Sequence, residues 1–301
     1  MYTKIVDFNI GKLKDFKNLG DEQNRVCRFC PPNKKSTIFR TQNKGKTSDA
    51  HAIPKFLGNY RLYTWYECSD CNLYFGRTVE SHLSVQKFFY ISALGLWNKK
   101  YPTQVHKSRN GQTVINVAYE PNSRIANVFG IINGAHTAHM LRLDDDGKLA
   151  HTPLSETPLK FDKGCDGVAC FKAYVKMALS IMPTEEFCSF QEAAKWTREE
   201  THTNFYSNDR KLLVRTLYYN GVCKYPRPIV SLYKRTDDSK TNFPYMLFQI
   251  LWGQEMNLIE IPMHENMDCV ELENLEYPID GEIEKEYEKP KPEFYDYLQL
   301  C

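Results

Sequence analysis

Apolar residues recur along this chain with two different periods. From Val79 to Trp97 they fall three or four apart (Val79, Leu83, Tyr90, Ala93 and Trp97, with Gln86 the one polar break), which predicts a helix with one buried stripe. The same spacing returns at Val168, Phe171, Val175, Ala178 and Met182, in a helix opening near Asp166 and stopped by Pro183. A further helix is expected over Thr184–Glu200, with Phe187, Phe190 and Ala194 on one face. Shorter apolar or alternating runs predict strands at Gln112–Glu120, Ile125–Ile132 and Ala138–Leu143. Four more follow: Lys211–Tyr219, Ile229–Arg235, Phe243–Trp252 and Asn257–Ile261. With an Asn220-Gly221 turn after the first, they read as an antiparallel meander.

Composition between these elements suggests five segments. Residues 1–24 are a polar, basic arm, and 25–97 form a first domain that ends in the first helix. Residues 98–111, with Pro, Gly and charge, read as a linker. Residues 112–266 form a second domain, with an antiparallel sheet and two helices, so the fold class is α+β. Residues 267–301 hold 11 acidic and 3 basic residues and three prolines, an acidic tail. No apolar run approaches the roughly 18 residues of a membrane span, and the N-terminus lacks a secretory pattern. A cytoplasmic protein without membrane contact is expected.

Charge changes the picture. The net charge of +2 conceals a basic portion, residues 1–111, with 19 Lys+Arg against 8 Asp+Glu, and a remainder at −9. The basic portion points to a polyanion. The acidic remainder would repel DNA, and its tail is a candidate shield for the basic face.

Four of the ten cysteines form two CxxC pairs, Cys27/Cys30 and Cys68/Cys71. Two such knuckles close a tetrahedral Zn²⁺ with four sulfurs and no open position, so the zinc is expected to be structural. The other six read as incidental or structural thiols.

Between the knuckles lies SDAHAIPKFLGN, and the second knuckle continues as CSDCNLYFG. Together these residues resemble the HNH endonuclease superfamily, the ββα-metal nucleases, over about residues 25–97. The resemblance implies a hairpin followed by a helix, with a catalytic Mg²⁺ or Mn²⁺ between them. It matches His51 to the general base, Asn72 to a metal ligand and His82 to the third motif position, a metal-binding histidine. It also implies hydrolysis of DNA. This branch is similar to bacterial anti-phage effectors, in which a C-terminal domain answers to an activating ligand or a partner protein. One position departs from the pattern: Ala50 stands where most members have an acidic ligand. Asp49, Glu80 and His82 are the candidates to replace it.

An imidazole suits the base because it is neutral near pH 7. Lys34, Lys35, Arg40, Lys44, Lys46, Lys55 and Arg61 surround the motif and can neutralise phosphates. Tyr63, Trp65 and Tyr66 can stack on bases, although strand aromatics at this spacing are more often core. A zinc-ribbon DNA-binding protein without catalysis and an RNase or toxin-like nuclease on the same fold are the competing readings.

Overall fold

The computed structural model describes residues 2–31, 39, 41–43, 46–48, 50–87, 103–107, 114–120, 125–132, 135–143, 149–150, 165–206, 212, 214–218, 225–236, 243–253, 255–262 and 293–294. The fold mixes helices with antiparallel sheets.

One helix organises the interior. Helix α3, Gly167–Ile181, is buried along its whole length. Its start is fixed by Asp166, whose carboxylate accepts from the Ala169 N–H at 2.8 Å, and Pro183 follows its end. A helix apolar on nearly all sides belongs in a core. Around it lie α1 (Ser69–Arg77), α2 (Val79–Gln86), α4 (Thr184–Phe187) and α5 (Gln191–Thr197). Helices α2 and α5 pack directly on α3. The helix expected over Thr184–Glu200 is interrupted: a 3-10 turn at Cys188–Phe190 separates α4 from α5. The first expected helix opens at Val79 as α2 does, and the structure adds α1 ahead of it, separated by Thr78. Positions 88–97 of that expected helix lie outside the described residues.

A six-stranded antiparallel sheet lies against α3. Its strands are β1 (Tyr2–Asn9), β11 (Val214–Tyr218), β12 (Tyr225–Arg235), β13 (Met246–Gly253), β14 (Glu255–Glu260) and β15 (Glu293–Phe294), in the order β1-β12-β13-β14-β11-β15. The sequence read β11 and β12 as successive strands of a meander. Instead β11 pairs with β14 and β12 pairs with β1, because β1 occupies the edge that β11 would have taken. The segment read as an N-terminal arm thus supplies a sheet strand. Of the acidic tail only β15 is described, paired with β11.

A second antiparallel sheet joins β6 (Thr103–Lys107), β7 (Val114–Glu120), β8 (Ile125–Ile132), β9 (Ala135–Leu143) and β10 (Leu149–Ala150) in the order β10-β9-β8-β7-β6. Its first strand falls in the segment read as a linker.

The cysteine-bearing region is built from short pieces. Strand β2 (Lys17–Leu19) runs parallel to β5 (Leu62–Thr64), and β3 (Thr41–Asn43) pairs with β4 (Lys46–Ser48). Residues 50–52 pair antiparallel with β5: the Thr64 N–H reaches Ala50 O at 3.0 Å, and the Ala52 N–H reaches Leu62 O at 3.2 Å. Ala50, Ala52, Leu62 and Thr64 are buried, so His51 and Tyr63 are the residues on the outer face. The hairpin loop carries a 3-10 turn, Lys55–Leu57, closed by Gly58 at φ 91°, a conformation that favours glycine. Asn59 then holds the loop from inside. Its amide donates to Ile53 O (2.7 Å) and Leu62 O (2.8 Å), and its side-chain oxygen accepts the Arg61 and Leu62 N–H groups.

Candidate zinc centre and hydrolytic site

Cys27 and Cys30 sit on the loop after β2, Cys68 caps α1 and Cys71 lies in its first turn. Their four sulfurs lie within 4.8 Å of one another, with separations of 3.5, 3.5 and 3.8 Å among them. Tetrahedral zinc with bonds of about 2.3 Å places sulfurs about 3.8 Å apart, so this set fits the ion. The Cys68 N–H points at Cys27 Sγ (3.4 Å) and an Arg198 guanidinium N–H points at Cys71 Sγ (3.4 Å). Both donors favour thiolates. With sulfurs alone, the cluster resists ionisation. Cys27 is pushed up to about 12, first by its contact with Cys68, against a lowering contact from Cys71, and then by burial. A divalent cation supplies the charge that lets four thiolates coexist.

The four-cysteine region is anchored along α3 from end to end. Arg28, inside the first CxxC loop, donates to Leu179 O (2.6 Å) and Met182 O (2.7 Å), carbonyls at the helix C-terminus. Its guanidinium also stacks between Tyr66 and Phe187, and burial lowers it to about 10. At mid-helix, Lys176 is fully buried. Its ammonium contacts Glu67 at 2.7 Å and Glu80 at 3.0 Å, and donates to the His51 carbonyl at 3.2 Å. Burial opposes the Lys176 charge, but the two carboxylates outweigh it and hold the lysine protonated. Burial raises Glu67 to about 7, against the pull of Lys176. At the helix N-terminus, His82 Nδ1 accepts the Asp166 N–H at 2.9 Å. Farther along, Lys87 forms a buried ion pair with Glu255 of β14.

These contacts decide what the candidate residues can do. His51 stands on the outer hairpin face, opposite Tyr63 in a strand bridge, with ring centroids 4.6 Å apart. Desolvation lowers it to about 4, helped by the charges of Lys176 and Lys55, so its imidazole is neutral at pH 7. Asn72 lies in the first turn of α1, and its N–H donates to Cys68 O (2.9 Å). His82 is placed on α2 but faces the α3 terminus and His202, whose ring is 5.4 Å away. A neutral imidazole that accepts at Nδ1 carries its proton on Nε2, so in this arrangement His82 has no lone pair left for a metal. Glu80 already shares Lys176 with Glu67 and the His51 carbonyl. Asp49 lies outside the described residues. Among the described residues the cysteines form the only group of three or more His, Cys, Asp or Glu side chains spaced to hold a metal. Of the described candidates for a catalytic Mg²⁺ or Mn²⁺, Glu80 is engaged by Lys176 and His82 by the Asp166 N–H.

Of the basic residues expected near the motif, Lys55 is exposed, while Arg61 donates to Leu13 O and so straps the N-terminal loop to β5. Lys46 lies in β4. Lys34, Lys35, Arg40 and Lys44 fall outside the described residues. Sequence reasoning missed Asn59, Arg28 and Lys176. Lys172 and Lys176, four apart inside an otherwise apolar helix, were a readable signal, because a charge in such a helix needs a buried partner. No helix among the described residues is long and apolar enough to cross a membrane. Comparison of the chain with family models, with curated proteins and with solved structures finds no match.

Proposed function

We propose that this chain is an HNH-type endonuclease that hydrolyses phosphodiester bonds of DNA, with His51 as general base and residues 112–266 as a regulatory or targeting region. One observation carries the reading. A neutral imidazole is displayed on the outer face of a hairpin whose second strand runs into a helix clamped by four cysteines, with Lys55 beside it. In the reaction His51 takes a proton from water as the water oxygen bonds to phosphorus and the P–O3′ bond breaks, and the leaving oxygen is protonated from solvent. An arriving phosphate opposes the charges of Lys55 and Lys176 and raises the basicity of His51 when substrate is bound. The family resemblance calls for a divalent cation, which would stabilise the charge of the leaving oxygen, while Glu80 and His82 are engaged by Lys176 and Asp166. Defence against phage, with an activating ligand or partner protein acting through the C-terminal region, follows from the same resemblance.

The test is cleavage of plasmid DNA and matched RNA with Mg²⁺ or Mn²⁺, using wild type beside His51→Ala and with zinc content measured in both. Loss of about 10²–10⁴-fold in rate at unchanged zinc supports the base assignment. Equal rates in the two proteins sink it. A second reading, a zinc-stabilised DNA-binding protein without catalysis, is favoured by the tautomer of His82 and by the ion pair that occupies Glu80. It expects salt-sensitive binding with no cleavage under either metal.

A further inference from the structure

We infer that Phe16 and Tyr63 form a stacking shelf for an unpaired nucleobase of DNA beside His51, so that the strand presented to the base is single. This rests on the nucleic-acid reading above and names the form of the substrate.

Three rings make a ladder. His51 and Tyr63 lie 4.6 Å apart by ring centroids, and Tyr63 and Phe16 lie 5.8 Å apart. The ladder is fixed by backbone. The His51–Tyr63 bridge sets its inner step, and the parallel pairing of β2 with β5 places the chain just after Phe16 alongside Tyr63, with the Lys17 N–H on Arg61 O at 2.8 Å. The Arg61 guanidinium on Leu13 O holds the same loop. Exposure then falls unevenly along the ladder: His51 and Tyr63 are half-buried, whereas Phe16 is 74 % exposed, more than any other large apolar side chain described. A lone exposed phenylalanine would need no explanation. This one ends a row of mutually tilted rings that starts at the candidate base.

Charge identifies the occupant. Lys12, Lys14 and Lys17 are all exposed on the segment that carries Phe16, with Asp15 the one acid among them, and Lys55 lies near His51. The Lys17 ammonium lies over the Phe8 ring and that of Lys55 over Tyr60, and an exposed aromatic on so lysine-rich a segment suits a polyanion with stackable bases. In duplex DNA the bases are already stacked on each other, so the shelf selects an unpaired one. Sequence spacing left Tyr63 between a base-stacking role and a strand core; cross-strand geometry puts it on the outer face.

The test is binding by the full chain, without added Mg²⁺ or Mn²⁺, to a single-stranded oligonucleotide carrying 2-aminopurine, beside duplex DNA and a matched RNA. Phe16→Ala should weaken single-strand binding roughly 5- to 150-fold with the salt slope unchanged, because stacking is lost and phosphate contacts remain. Phe16→Trp should restore both the affinity and the quenching of 2-aminopurine. Unchanged single-strand affinity in Phe16→Ala overturns the shelf and leaves the nuclease reading standing. Equal losses on duplex and single strand also overturn it. Tighter binding of RNA than of DNA, lost in Phe16→Ala, overturns the DNA assignment alone. Wild type binding none of the three polymers overturns the nucleic-acid reading itself.

Discussion

The four-cysteine region and the sheet region hold their shapes by different means. Between residues 50 and 87 the elements are two short helices, a three-residue strand and turns, with the sulfurs of Cys68 and Cys71 meeting those of Cys27 and Cys30. Across β12, β13 and β14 the strands are long, and the side chains of β13 and β14 are buried throughout. The sheet region can rest on hydrophobic burial, whereas the four-cysteine region is built from shorter elements that bury less surface each. Yet Phe75, Val79 and Leu83 share one apolar core with Val175, Leu179 and Phe248. The contrast therefore concerns what fixes geometry, a cysteine cluster and polar contacts on one side and packing on the other.

Removing zinc should break the contrast most sharply. Metal binding in small zinc domains is worth about 10–16 kcal/mol. After chelation, or in Cys68→Ser, hydrogen exchange should rise across residues 50–87 while β13 and β14 keep their protection. Equal loss in both would show a single cooperative unit. Next comes Lys176→Met, which strands Glu67 in the core and should cost about 3–5 kcal/mol in urea denaturation. Replacing Glu67 and Glu80 by apolar residues as well should recover most of that. Asn59→Ala removes the inner brace of the hairpin loop and should cost about 2–3 kcal/mol, with exchange rising first at Leu62 and Thr64.

The smallest effect concerns His51. Its folded value, about 4, lies below the ordinary 6.5. The unfolded imidazole therefore binds protons that the folded one refuses, and stability is full above pH 6.5 and declines as pH falls toward 4. Lys55→Ala should move the NMR titration of His51 upward, because it removes one of the opposing charges. A downward or absent movement would place Lys55 away from the site.

Local signals were readable in the sequence. The Asp166 cap and the Pro183 stop bracket α3, Ile125–Ile132 matches β8 end for end, and the two CxxC pairs converge. What escaped depends on partners far along the chain. Nothing near Arg28 announces that its guanidinium will cap a carbonyl at Met182, and nothing near His82 announces Asp166. The placement of β11 escaped for the same reason, since a neighbour-by-neighbour reading cannot foresee that β1 takes the edge of β12.

That last pairing has a kinetic consequence. Tyr2 lies opposite Arg235, and Asn9 opposite Ile229. Strand β1 leaves the ribosome long before β12 exists, and loop-closure entropy must be overcome before any of its ladder bonds form. Such non-local pairing slows folding. Until β12 arrives, the eight residues of β1 remain an unpaired β-segment, the kind of edge that invites pairing with another chain. Strand β1 is thus made well before its partner and finds its place late, and the stretch of translation between the two is when this protein most needs a chaperone.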